Sequence, residues 1–304
     1  MKRDITNVAA SVRARLLNQA RTSGTDVQLL TIRYALERLL YRLSVSAHKD
    51  RFVLKGAMLF PAWTDDVFRP TRDLDLLGHG DNTPEALAET FREIFRQDVE
   101  EDGLVFDAEA VTARVIREEK VYSGVRIKSV VRLGTARYPV QVDIGFGDKI
   151  TPEPDELDYP TILEFPAPRL RAYPHATVVA EKFEAMVQLG LGSTRIKDFY
   201  DLTAISRLFE FDGAILAEAI RNTFTQRGTD IPADKPPPLT SEFADKPESI
   251  RLWRQFIEDD AMLVKDTNFG PILDEIAAFV LPPATAAIQG QRFDRHWPAG
   301  GPWR

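Results

Sequence analysis

The chain has 304 residues, 44% of them hydrophobic and 28% charged, with 17 glycines and 20 prolines; this is the make-up of a folded protein of one medium domain plus a smaller one, not of a disordered, collagenous or low-complexity chain. With no cysteine, disulfides, thiolate zinc sites and cysteine nucleophiles are excluded, and His48, His79, His175 and His296 show no HExxH-type pairing, so any metal would be held by oxygen. A net charge of −7 does not draw polyanions, so a nucleic-acid partner needs a locally basic surface, and a charged N-terminus with no run of about 18 apolar residues leads us to expect a cytoplasmic protein without signal peptide or membrane span.

Residues 8 to 46 read as two helices. The first is Arg-rich, a break falls at Ser23-Gly24-Thr25-Asp26, and the second carries Leu29, Ile32, Ala35, Leu39 and Leu43 at helical spacing. A short apolar run, Phe52 to Leu54, reads as a strand, followed by Lys55-Gly56 and a helix over Ala57 to Trp63. Asp65-Asp66 and Pro70 make a loop. TRDLDLLG then alternates, with Arg72, Leu74 and Leu76 on one face and Asp73 and Asp75 on the other, as a strand requires. A helix from Asn82-Thr83-Pro84-Glu85 to about Phe95 follows, with Pro at a first-turn position. Strands are predicted at Leu104–Phe106, Ala110–Ile116, Gly124–Leu133 and Tyr138–Ile144, antiparallel in character. The six prolines between Thr151 and Pro174 read as an extended connection and the domain boundary, giving an N-terminal domain over 1–170 and a helical C-terminal domain over 171–304. Helices are expected at Ala176–Leu189, Ser193–Phe209, Asp212–Arg227, Lys246–Asp259 and Ile272–Leu281. The tail QRFDRHWPAGGPWR lacks periodicity and reads as a loosely held terminus.

The acids carry the chemistry. Asp73 and Asp75, two residues apart on a strand, leave the same face about 6.5 Å apart at the backbone and can converge on one cation; the bland reading is a solvated face or a salt bridge to Arg69 or Arg72. In YPVQVDIGFGD the side chains of Val140, Val142 and Ile144 point one way, and Asp143 is a single acid on the other face, which a neighbouring strand can bring beside the pair. Three carboxylates around divalent cations serve phosphoryl transfer. Gly56 opens a helix directly after a strand, where bare N–H groups hold phosphate oxygens, although a plain turn gives the same pattern. Lys182 falls within the apolar arc of its helix, opposite Glu181, Glu184 and Gln188, so it must meet a carboxylate or a bound anion, or snorkel to the surface. Asp198 shares an apolar stripe with Leu202, Ile205 and Phe209, for which helix–helix salt bridging is the alternative. Arg126, Lys128 and Arg132 share a strand face, and Arg13, Arg15 and Arg21 enrich the first helix and its end; either set can track phosphates or be a solvated face. Phe293, Trp297 and Trp303 of the tail suit base stacking or surface packing equally.

FVLKGAMLF, RPTRDLDLLG, VQVDIGFGD, VVAEKFEAMVQLG and STRIKDFYDL, in this order over residues 8 to 265, resemble the motifs of AbiEii/AbiGii-type nucleotidyltransferases. These are toxin components of bacterial abortive-infection and toxin–antitoxin systems and include the MenT toxins. The resemblance implies an α+β, mixed α/β fold: a DNA polymerase β-like nucleotidyltransferase domain with a mixed sheet, then a helical domain, with the active site between them. It makes Gly56 the nucleotide-phosphate glycine, Asp73 and Asp75 the Mg²⁺ (or Mn²⁺) ligands and Asp143 the third acid. Lys182 corresponds to the lysine of the AEK motif and would neutralise charge on the β- or γ-phosphate, and Lys197-Asp198, the KD of the last motif, would join the nucleotide-binding site. Ala57 stands where related sites often carry Ser or Gly, and Thr71-Arg72 replace the usual Ser-x before the first Asp, so Thr71 and Arg72 themselves become candidate phosphate contacts.

The resulting expectation is transfer of a nucleoside monophosphate from an NTP to an RNA hydroxyl, as in family members that modify tRNA 3′ ends and block translation, with a protein antitoxin as a further partner. A degenerate module that binds nucleotide or antitoxin, and a metal-dependent phosphohydrolase or nuclease, are the alternatives.

Overall fold

Asn7 and Asp26 each accept a backbone N–H bond three residues on, 2.9 and 2.7 Å, and so start helices α1 (Val8–Ser23) and α2 (Val27–Ser44). Gly24, at φ +68, closes α1 in the left-handed conformation that the Ser-Gly-Thr-Asp break anticipates. A computed structural model describes residues 7–64, 69, 71–118, 122–258 and 263–304. The loop expected at Asp65-Asp66 and Pro70, apart from Arg69 and Thr64 beside it, and the Asp259 end of one predicted helix lie outside these residues. The chain divides into two units. The first comprises Met1–Asp65, Pro70–Gly147 and Asp155–Ala172; the second comprises Asp66–Arg69, Asp148–Pro154 and Tyr173–Arg304.

In the first unit, α1 and α2 lead into β1 (Phe52–Lys55), a 3₁₀ turn over Gly56–Leu59 and the single helical turn α3 (Phe60–Trp63). After these come β2 (Leu74–Gly78), α4 (Pro84–Phe95), β3 (Leu104–Phe106), β4 (Thr112–Glu118), β5 (Tyr122–Leu133), β6 (Ala136–Phe146), β7 (Asp155–Asp158) and β8 (Arg169–Ala172). They form one mixed sheet in the order β3-β5-β6-β2-β1-β8-β7, with β4 also paired to β5. The pairs β2–β6 and β1–β8 are parallel; the others are antiparallel. The Pro-rich stretch read as a plain connection therefore contributes two strands, β8 beside β1 and β7 at the sheet's edge, because extended backbone can enter a ladder wherever the residue itself is not Pro.

One face of this sheet is apolar. Leu54, Leu74, Leu76, Val125, Ile127, Val140, Val142 and Ile144 are buried, and α2 and α4 pack against the strands. Phe52, Phe91, Phe95 and Phe106 run as a chain of ring contacts at 5.1–6.4 Å from β1 through α4 to β3. Arg38 and Arg42 of α2 are also buried and close on Asp102, Arg42 bidentate at 2.6 and 3.1 Å. Beside them Glu37 accepts the Ile162 N–H at 2.7 Å, and burial pushes its carboxyl up to about 7.

The second unit is helical: α5 (His175–Leu189), α6 (Ile196–Leu208), the short strand β9 (Phe211–Asp212), α7 (Gly213–Arg227), α8 (Ser241–Ala244), α9 (Pro247–Ile257), α10 (Phe269–Gln289) and β10 (His296–Trp297). Phe199, Phe243, Trp253 and Phe269 stack at its centre. By length and composition α10 alone among the described helices is apolar enough to cross a membrane, but its Ile272, Leu273, Ile276, Phe279 and Val280 are buried in the unit's own core. The tail departs from its expected looseness. β10 pairs with β9, Trp297 Nε1 donates to the Ser206 carbonyl and Trp303 Nε1 to the Phe279 carbonyl, and both indoles are buried. Trp297, Trp303 and Phe293 thus pack on α10 and on each other, not out toward a base.

Candidate active site

The strand registers of the first unit set five charged residues in a row across five strands. Lys55 of β1 faces Asp75 of β2, Asp75 lies beside Asp143 of β6, Asp143 faces Arg126 of β5, and Arg126 faces Arg114 of β4. Residues in register share a face, and neighbouring strands are about 4.8 Å apart, so the two carboxylates are set side by side, with a cation on each flank. Leu74 and Leu76 on β2, and Val142 and Ile144 on β6, point to the buried face, which is what forces Asp75 and Asp143 out on the other. Asp73, half-buried, precedes β2 by one residue, and strand alternation carried back to it gives the same face.

Gly56 closes on this row. Its φ is +71, and a Cβ built there would lie 2.0 Å from Asp75 Oδ2 and 2.7 Å from Asp75 Cβ and Cγ. The position therefore requires glycine twice, for the left-handed backbone and for contact with the carboxylate. Ala57 is buried. The Thr71 hydroxyl donates to the Asp73 carbonyl at 3.2 Å, and Arg72 is exposed.

Asp143 is held by its cross-strand neighbour. Arg126 Nε and Nη2 donate to its two oxygens at 2.6 Å each, and Gln141 Nε2 approaches one of them at 3.3 Å. Carboxylate oxygens of Asp75, Asp73 and Asp143 are the donors that a hard divalent cation takes, and their placement on one face beside a glycine suits it. In the arrangement described, Asp143 spends both oxygens on Arg126, and among the described residues no three acidic or histidine side chains already converge on one point. By donor type and placement these acids fit such a cation: Asp75 and Asp73 would be its ligands, and Asp143 would join them only on release from Arg126.

A family model described as nucleotidyl transferase AbiEii toxin, type IV toxin–antitoxin system, matches residues 38–279, which include all of these acids and Gly56. The chain belongs to the AbiEii toxin family. It is therefore a nucleotidyltransferase, and the mixed sheet followed by a helical unit is the architecture expected of it. Two solved structures are similar. One is a Helicobacter pylori protein crystallised as a candidate nucleotidyltransferase, with 13% identity and a TM-score of 0.49, covering 88% of this chain and 100% of that one. The other is JHP933 from Helicobacter pylori, with 14% identity and a TM-score of 0.49, covering 87% and 99%. Among curated protein sequences none matches significantly.

The remaining motif residues of this AbiEii-family toxin lie in the second unit. Lys182 Nζ of α5 sits 2.7 Å from both Asp198 and Asp201 of α6. Arg195 donates to Asp198 at 2.6 Å, and Arg69 grips Asp201 at 2.7 and 3.0 Å. Burial works against these charges, but Lys182 and Arg195 outweigh it and hold the Asp198 carboxyl well below the usual range; the two carboxylates in turn raise Lys182. Of the outcomes open for Lys182, the carboxylate partner is the one found, and Asp198 makes the helix–helix bridge. Lys197 is exposed. The polar stripe of α5 is not solvated: Arg227 of α7 pairs with Glu181 at 3.2 Å and Glu184 at 2.8 Å, and Glu184 is buried. Sequence reasoning passed over Lys55 as a neighbour of Asp75 and placed Arg126 in a phosphate-tracking patch. Their cross-strand partners lie 20 and 17 residues away, and only the alternation of each strand hinted at a shared face.

Proposed function

We propose that this nucleotidyltransferase transfers a nucleoside monophosphate from an NTP to the 3′ hydroxyl of an RNA, with tRNA as the acceptor, in a Mg²⁺-dependent reaction. The observation that carries the reading is the in-register pair Asp75 and Asp143, with Asp73 on the same face and Gly56 backed against Asp75.

In the reaction, the acceptor oxygen bonds to the α-phosphorus, the α–β phosphoanhydride bond breaks, and pyrophosphate leaves. Asp143, once an oxygen is released from the paired Arg126 contacts, takes the hydroxyl proton. Asp73 and Asp75 would hold Mg²⁺, which when bound would supply charge neutralisation for the triphosphate and the leaving oxygen. Gly56, free of a side chain, lets the Asp75 carboxylate sit against its backbone, and Lys55, in register with Asp75, adds positive charge beside it. Such chemistry depends on positioned charge more than on covalent help. A toxin of this family also implies an antitoxin partner.

The test is product analysis with purified protein, total tRNA and each NTP labelled in turn at the α or γ phosphate. Label from the α position should enter RNA while γ label leaves as pyrophosphate. Shortened RNA, or nucleotide bound without turnover, would overturn the proposal in favour of a nuclease or a binding module.

A further inference from the structure

The sheet face that bears Asp75 and Asp143 continues away from them along β5 and β6, and its character changes. By register Lys128 lies beside Gln141 and Thr112, and Arg132 beside Arg137 and Val105, all on the face of Arg126 and Asp143. Arg114, Lys128, Arg132 and Arg137 are exposed, and among the described residues none of the four makes an ion pair. Along β5 and β6 the registers place no acid on this face beyond Asp143; the others that share it, Glu118 at the far end of β4 and Glu156 and Asp158 on β7, lie away from these four cations. In a protein of net charge −7, four exposed cations without carboxylate partners are kept at a desolvation-free but repulsive position, which an external anion relieves.

The spacing gives the anion's form. From Arg126 to Arg132 the strand advances about 20 Å, further than one mononucleotide held at the carboxylates extends, so the ligand is a polymer. Between the cations stand Val105, Val130, Pro139, Gln141 and Thr112, with no aromatic or long apolar anchor of the kind that protein partners seat. Arg and Lys along an otherwise anchorless surface are the groups that hold phosphates and fix a strand's position without reading its bases. We propose that this open face of β5 and β6 is the binding track for the RNA acceptor. The phosphate backbone lies along Arg132, Arg137 and Lys128, and the 3′ end points at Asp143. The inference rests on the acceptor being RNA and adds where it lies, in which direction, and that the track is sequence-tolerant.

Lys128→Glu/Arg132→Glu is the test, with Lys128→Gln/Arg132→Gln as a milder pair. Both side chains are exposed and unpaired, so melting should stay at the wild-type temperature. Binding of 5′-fluorescein tRNA is followed by anisotropy without NTP, across a salt series. The charge reversal should weaken binding at least about tenfold and flatten the slope of log K against log salt by about 1.5–2, two phosphate contacts' worth. Binding of labelled NTP by equilibrium dialysis should be unchanged. Wild-type RNA affinity in the variant, no RNA binding by the wild type, or poly-glutamate competing as well as RNA would overturn the track, the last by making it an acidic-protein surface. If the variants lose RNA while the wild type never adds a nucleotide to it, the transfer reading fails and the track stands. If transfer by the wild type is robust and the variants bind RNA normally, the reverse holds.

Discussion

A methyl group added at Gly56 would meet Asp75 Oδ2 at 2.0 Å and Asp75 Cβ at 2.7 Å. Rotating the carboxylate relieves the first overlap but not the second, because Cβ is fixed by the backbone of β2. Gly56→Ala must therefore push β1 and β2 apart at Lys55 and Asp75, which are in register. The left-handed backbone at φ +71 costs an alanine about 1–2 kcal/mol and the overpacking about 1–3, so the loss should be about 2–5 kcal/mol. For a protein of this size that is roughly 3–8 °C in melting temperature. Gly134→Ala separates the two terms: its φ is +61, but nothing lies within 4 Å of the added methyl, so it should lose only about 1–2 kcal/mol and no activity. A displacement near 1 Å at a carboxylate that orients the reaction costs on the order of 10²-fold in rate. Thermal melts and initial rates of α-labelled nucleotide incorporation on both variants check this. If Gly56→Ala melts like Gly134→Ala and retains the wild-type rate, the close approach of Gly56 to Asp75 has no part in the site.

Three further outcomes follow from buried charge and packing. Lys182→Met leaves Asp198 and Asp201 without their shared cation and should destabilise the protein by about 3–5 kcal/mol in denaturant unfolding; a change below about 1 kcal/mol would contradict the buried network. Glu37 holds its proton more tightly in the folded state, with a pKa of about 7 against 4.5, so the folded protein should lose up to about 3 kcal/mol as pH rises from about 4.5 to about 7. Glu37→Gln, which keeps an acceptor for the Ile162 N–H, should flatten that part of the stability profile, and an unchanged slope would remove Glu37 as its source. Trp297→Ala should cost about 3–5 kcal/mol if the tail is packed as described, whereas a loose terminus would lose less than about 0.5 kcal/mol.

The elements with strong periodicity were legible in the sequence. TRDLDLLG alternates as β2 does, Thr83-Pro84 marks the start of α4, and Ser23-Gly24-Thr25-Asp26 marks the stop and restart between α1 and α2. The acids were legible as residue types on strands, since an aspartate opposite leucines must face away from the core. Their neighbours were not. Asp75 and Asp143 are 68 residues apart, and it is the parallel β2–β6 register that seats them together; a slip of one residue would have sent Asp143 into the apolar face. Arg126 read as part of a basic stripe because its strand carries one, and only the β5–β6 ladder shows that this particular cation faces an acid. The tail misled for another reason: Trp297 and Trp303 bury themselves from irregular backbone, where no period announces a core position. In α5, Glu184 read as part of a polar face because charge is mostly a surface trait, yet it is buried against Arg227 from a distant segment.

The central claim is that Asp75 and Asp143, neighbours by strand register, perform nucleotidyl transfer to RNA. Asp75→Asn and Asp143→Asn should each reduce α-labelled nucleotide incorporation into tRNA by at least about 10³-fold while melting stays within a few degrees of the wild type. Incorporation at the wild-type rate by either folded variant would contradict it.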